Sequence, residues 1–237
     1  MGGFCALYKN KLRWIDVRKP PDTSHRGVTR QAVAEAAADL VASDGLEALS
    51  VRKVADRLGV WPTTVMHHAG GRDGLVALLI EHLAAGISTE QRGSWRVRLA
   101  ELGHEIRRVA LAHQGLAYEL LRSDPTGPQA LRLAEAILDA LEDAGVDEDV
   151  AQDAYDLYLT YVLGSAGRQT TAITPAYWEE FERALDRTEP DAYPALRRAA
   201  LSGMTRDDDS RFAGGLDLVL DAIAGRAPPN VGEKPSR

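Results

Sequence analysis

The sequence predicts an all-α fold: a small N-terminal three-helix unit followed by a larger helical bundle. Three observations predict it. Apolar residues recur at three- and four-residue spacing through most of the chain. The 237 residues include 36 Ala and 29 Leu against 3 Phe, which suits helices packed closely on small side chains. Glycines, prolines and short polar residues fall where such helices should start and stop. No stretch shows convincing strand alternation.

Taken in order, residues 1–27 hold Pro20-Pro21 and no sustained period, and are expected to form a mobile basic arm. A first helix starts after Thr29, a good N-cap, with Val33, Ala37, Leu40 and Val41 on one face, and ends at Gly45. Ser50 caps a short second helix carrying Val51, Val54, Ala55 and Leu58, stopped by Gly59. Pro62 fits the first turn of a third, where its missing N–H costs nothing. Gly70-Gly71 end that helix, and a fourth runs from about Asp73 through Leu75, Leu78, Leu79 and Leu83 to about Gly86.

The rest is longer in period. Trp95, Leu99, Leu102, Ile106, Val109 and Ala110 mark a helix that finishes near His113-Gln114-Gly115. Leu116 to Arg122 reads as a short continuation, and Asp124-Pro-Thr-Gly-Pro128 as a loop. Leu131, Ala134, Ile137, Leu138 and Leu141 then form an amphipathic helix closed by Gly145. A helix of about 24 residues begins at Asp147. Another spans Ala176–Leu185, broken by Glu189-Pro190, and a last one Arg211–Ile223. The implied domains are 28–75 and 76–224, with a disordered tail at 225–237.

Charge and composition exclude several classes. No apolar run approaches the ~20 residues a membrane helix needs, and the N-terminus lacks a signal-peptide core. One cysteine, Cys5, leaves no intrachain disulfide and no multi-cysteine zinc site. The expected address is the cytoplasm. Net charge is −7, unevenly spread: residues 1–75 carry 11 Lys/Arg and 8 Asp/Glu, and residues 76–237 carry 17 and 27. A basic end on an acidic body fits a polyanion-binding module joined to a regulatory body.

The informative stretch is Ser50 to His68. Two helices crossing steeply need a small residue at the contact and a glycine at the turn, and Ala55 and Gly59 supply them. Val54, Leu58, Val60 and Val65 form the buried wedge. Thr63, Thr64 and His67 leave the outside of the second helix polar, as a helix entering the major groove should be. This is a helix-turn-helix.

Residues 29–83 resemble the DNA-binding region of the tetracycline-repressor (TetR) family. The resemblance rests on 29–37, on Asp44 to Val60 and on Gly71-Arg-Asp-Gly-Leu75. Residues 95–170 are more loosely similar to the helical C-terminal domain of that family, through Asp124-Pro-Thr-Gly-Pro-Gln-Ala-Leu and Tyr161-Val-Leu-Gly164. The resemblance implies a homodimer that reads a palindromic double-stranded DNA operator. It also implies a C-terminal domain that dimerises and holds a small-molecule effector, with repression released by ligand as the commoner arrangement. Arg52 falls where family members contact DNA from the second helix, and Thr63, Thr64 and His67 fall on the recognition helix. Arg72 replaces the usual phosphate-gripping lysine. Arg30, Ser50, Trp61 and His68 complete the expected DNA-facing set. Two positions depart from the pattern: Met66 stands where a phosphate-binding tyrosine is usual, so that contact is lost or moves to His67 or His68. Trp61 stands at a position usually held by a small polar cap.

Other classes are weaker. Glu101-Leu-Gly-His104 has the spacing of di-iron bundles, but no other histidine has a glutamate three residues before it. Neither a phosphate-binding glycine loop nor a nucleophile elbow is present. The expectation is no enzyme, no metal and no cofactor. The alternative is a helical-bundle adaptor or metal-binding protein without DNA binding. For the effector, expected to be neutral or cationic and largely apolar, the candidate contacts are His104, His113, Tyr118 and Tyr158. Histidines and tyrosines at such positions, Tyr155 and Tyr161 included, serve equally as hydrogen-bonded core or seam residues.

Overall fold

In the computed structural model, residues 27–90, 92–123, 126–170, 175–189, 191–198 and 207–226 are described. The basic arm and most of the tail lie outside the described residues. The chain is all-α, with no strand among the described residues.

Helices α1 (Arg30–Asp44), α2 (Val51–Leu58), α3 (Pro62–Ala69) and α4 (Arg72–Ala85) build the N-terminal part. The C-terminal part contains α5 (Trp95–Ala112), α6 (Leu116–Arg122), α7 (Pro128–Asp143) and α8 (Glu148–Thr170), followed by α9 (Pro175–Asp186) and α10 (Asp208–Ala224). Capping chemistry explains the early boundaries. Thr29 Oγ1 accepts from the Ala32 N–H at 3.0 Å, and the Gly45 N–H returns to the Val41 carbonyl at 2.9 Å. One element was not expected: a 3₁₀ turn at Leu46–Ala48 between α1 and α2. It places Leu46 in the core and gives Gly45 the positive φ that its lack of Cβ allows. At the far end, the last helix begins three residues earlier than its apolar pattern indicates. Asp207 caps it, accepting from the Ser210 N–H at 2.7 Å, and so draws the polar Asp208-Asp209-Ser210 run into the first turn.

Two apolar cores result. Val33, Ala37, Val41, Val54, Ala55 and Val65 anchor the head. Leu99, Leu102, Ile137, Leu141, Tyr158 and Leu220 anchor the body. Leu75, Val76, Leu78, Leu79 and Ile80 of α4 join the head core, while Ile87 just beyond α4 joins the body core. The head therefore reaches past residue 75, and α4 is shared by both units. Its burial on several faces explains why it reads as apolar nearly all round.

The body end of α4 is fastened to α7 in both directions. Glu81 accepts from the Gln129 and Ala130 N–H groups at 3.0 and 3.1 Å, capping the α7 N-terminus. Arg132 donates to the Ala84 and Ile87 carbonyls at 3.3 and 3.1 Å, closing the α4 C-terminus. No helix among the described residues is long and apolar enough to cross a membrane.

Candidate functional site

The head presents α2 and α3 as two crossed helices. Ser50 Oγ accepts from the Lys53 N–H at 3.3 Å and starts α2. Gly59, at φ 66°, ψ 33°, turns the chain in the left-handed region that glycine occupies without strain. The Val60 N–H then reaches back to the Ala55 carbonyl at 3.0 Å, and Val54, Ala55 and Val65 are fully enclosed. Turn and wedge together hold α3 outward.

The polar side chains of α3 are where the pattern puts them. Thr63 and His67 are exposed, and Thr64 is half-buried. Arg52 on α2 is open to solvent, 4.0 Å from Asp56. Trp61 precedes α3 without a side-chain capping bond and stands 80 % exposed, and Met66 is exposed on the same helix. Two apolar side chains thus stand in water on an otherwise polar face.

Three of the expected positions have structural ties. Ser50 is occupied as a cap. Arg72 is exposed, and its guanidinium donates to the Leu46 carbonyl at 3.3 Å, which pins it beside the 3₁₀ turn. His68 is half-buried, its ring 5.4 Å from that of His67. Burial, then the neighbouring His67, lower its pKa, while a hydrogen bond to the Val28 backbone opposes the shift and Arg30 adds to it. His68 therefore faces the start of α1, with exposed Arg30 nearby.

Head and body meet at the turn between α5 and α6. The Leu46 N–H donates to the Gln114 carbonyl at 2.8 Å, and a Cβ on Gly115 would stand 3.0 Å from Leu46 Cβ. Leu116, the next residue, is buried in the head core although it begins a body helix. It acts as a plug between the units.

Leu116 also lines a cavity of about 410 Å³ within the body. Ile80, Leu83 and Ala84 of α4 form one wall, and Ile106, Val109 and Ala110 of α5 another. Leu120 and Leu121 come from α6, Leu133 and Ile137 from α7, and Leu159 and Leu163 from α8. Its polar groups are Ser123, Tyr155, Asp156 and Thr160.

The four effector candidates chosen from sequence lie outside this wall. Tyr158 is fully buried, donates to the Leu99 carbonyl at 2.7 Å, and is pushed far up in pKa by that burial. His104 is exposed and sets its ring edge against Phe212 at 5.0 Å. His113 is half-buried with Nδ1 2.8 Å from the Val109 carbonyl. Tyr118 packs against Gly167, where a Cβ would lie 3.1 Å from its ring. Helical periodicity located apolar faces but could not show which part of a face borders a void. Tyr155, three residues before Tyr158, reaches the cavity.

A second crevice of about 930 Å³ lies between α5, α8, α9 and α10, bordered by Arg107, Arg168, Glu179, Glu182, Asp208 and Arg211. Arg107 is buried over Phe212, 4.7 Å from the ring centroid, and donates to Asp209 at 2.8 Å and Gln169 at 2.6 Å. Among the described residues, no group of three or more His, Cys, Asp or Glu is placed to hold a metal ion.

Two family models match successive parts of the chain. The family model "Bacterial regulatory proteins, tetR family" matches residues 33–79, and "Tetracyclin repressor-like, C-terminal domain" matches residues 88–226. The HTH-type transcriptional repressor DrrR1 of Streptomyces coeruleorubidus is 25% identical over 232 residues, covering 90% of this chain and 83% of that one. Tetracycline repressor protein class A of Escherichia coli is 27% identical over 198 residues, covering 82% and 89%. ActR of Streptomyces coelicolor, in complex with actinorhodin, has the same fold, with TM-score 0.76 at 24% identity over 86% of this chain and 100% of that one. A further TetR regulator of that organism gives TM-score 0.74 at 26% identity, over 85% and 100%. With the head matched by one family model and more than half of the length by the other, the chain belongs to the TetR family of transcriptional regulators.

Proposed function

We propose that this regulator is a repressor that binds a palindromic operator as a homodimer and leaves it when a small, largely apolar ligand fills the body cavity. The observation that carries the reading is the double position of Leu116. The same side chain is buried in the head core and lines the cavity. A ligand pressing on α6 therefore presses on the seat of the helix-turn-helix. The names of DrrR1, a repressor, and of ActR in its actinorhodin complex support the reading.

On DNA, α3 enters the major groove with Thr63, Thr64 and His67 toward base edges and phosphates. Arg52 contacts a base or phosphate from α2, and Arg72 and Trp61 lie against the backbone. The partner copy places a second α3 about one helical turn of DNA away, or a multiple of it. Pairing uses α8 and α10, where Leu157 and Leu218 stand 46 % and 70 % exposed.

The test is a gel shift with the DNA upstream of the protein's own gene, followed by footprinting. Two protected half-sites related by a two-fold axis support the reading. Release of that complex by compounds found in a thermal-shift screen of apolar metabolites and antibiotics completes it. Absence of specific binding in the upstream DNA and in fragments selected from the genome contradicts it.

A further inference from the structure

The cavity is aliphatic on most of its walls, and among the described residues Asp156 is the one charged group lining it, exposed to water together with Thr160. An Asp156 carboxylate oxygen accepts from Gln152 Nε2 at 2.9 Å, one turn earlier on α8. The other polar groups at the wall are neutral: the hydroxyls of Ser123, Tyr155 and Thr160.

This arrangement sorts ligands by charge. An occupant seated beside this exposed carboxylate displaces part of its water, and a positive donor replaces that water best. A neutral apolar molecule leaves the charge unpaired, and an anion adds repulsion. A protonated amine gains a charge-assisted hydrogen bond. The surroundings act in the same direction, because residues 76–237 carry 27 Asp/Glu against 17 Lys/Arg.

We propose that the cavity selects a lipophilic amine, its ammonium group held by Asp156 and its apolar body seated among Leu83, Val109, Leu120, Leu133 and Leu159. The proposal rests on the ligand-release reading above and names the ligand class of that same cavity. Asp156 is then the specificity-determining residue, and Thr160, one turn further along α8, supplies a second polar contact. The volume of about 410 Å³ suits a body of two or three fused rings.

The test uses three probes that share one ring system: 1-naphthylmethylamine, 1-naphthalenemethanol and 1-naphthoate. Their affinities are measured by titration calorimetry against the full chain, against Asp156→Asn, and against Ala134→Trp, which fills the cavity. The expected order is amine, alcohol, carboxylate, with the amine about two- to fivefold ahead of the alcohol. Asp156→Asn should erase that preference and leave alcohol binding in place, with an unchanged melting temperature for the unliganded protein. Ala134→Trp should weaken all three. Equal binding of the three probes to the parent overturns the charge selection and leaves the cavity reading standing. An amine preference that survives Asp156→Asn overturns the role of Asp156. Failure of every probe to bind at millimolar concentration overturns the ligand reading as well.

Discussion

The Leu46 N–H donates across 2.8 Å to the Gln114 carbonyl, tying the 3₁₀ turn of the DNA-reading head to the turn that opens α6. Arg72 donates to the carbonyl of the same Leu46 at 3.3 Å. One residue of the head thus receives a bond from the start of α4 and gives one to the cavity-bearing body. Leu116, two residues beyond Gln114, fills the space beneath.

Truncating that plug should therefore be costly twice. Leu116→Ala removes a fully buried side chain, and large-to-small changes of this kind cost about 2–5 kcal/mol. Chemical denaturation should show that loss. The variant should also need more ligand to leave DNA, because the side chain shared by cavity and head is gone. Unchanged stability and unchanged ligand response would place the coupling elsewhere.

The head makes a separable prediction. Arg52→Ala and Thr64→Ala should weaken operator binding by about 1–3 kcal/mol if each reads a base. Arg72→Ala should weaken binding to all sequences alike and lower the salt slope by about one. Anisotropy titrations at several salt concentrations distinguish the two patterns. Parental affinity in all three variants would remove α2 and α3 from the interface.

Assembly can be tested on the outer faces of α8 and α10. Leu218→Asp places a charge where an interface of about 1,600 Å² or more is expected. Sedimentation should show dimer for the parent and monomer for the variant at micromolar concentration. A parent that sediments only as monomer would contradict pairing.

Stability should also respond to pH through His68. Its pKa is lowered in the folded chain, chiefly by burial and then by His67. The unfolded chain therefore binds this proton more readily, and stability is fully present above the ordinary histidine pKa of about 6.5. It falls as pH drops below that value toward the lowered folded pKa. His68→Gln should flatten that part of the profile in thermal melts between pH 7 and pH 5.

Much of this was legible in the residue order, for identifiable reasons. Thr29, Ser50, Gly59 and Pro62 act through bonds local to their own turns, so spacing alone located the helix-turn-helix. Arg52, Thr63 and His67 stand exposed on α2 and α3, as polar residues on the outer faces of short helices should. The cavity was not readable in this way. Its boundary depends on how α4, α6 and α8 cross, and the sequence does not distinguish a leucine against a void from one against another leucine. Tyr158 illustrates the limit: a tyrosine in that pattern suits a ligand wall or a packed seam alike, and its hydrogen bond to the Leu99 carbonyl depends on how α5 and α8 cross. The fastening of Glu81 to Gln129 and Ala130, 48 and 49 residues away, left no local signal either.

The most direct measurement is operator affinity in the presence and absence of a saturating amine that binds the cavity, with amine affinity measured in turn for free and operator-bound protein. The account predicts that the amine weakens operator binding and that operator weakens amine binding by the same factor. Moving the population from 99:1 to 1:99 requires a preference of about 5.5 kcal/mol between the two states. Operator affinity that stays the same with the cavity filled would contradict the coupling of cavity to head.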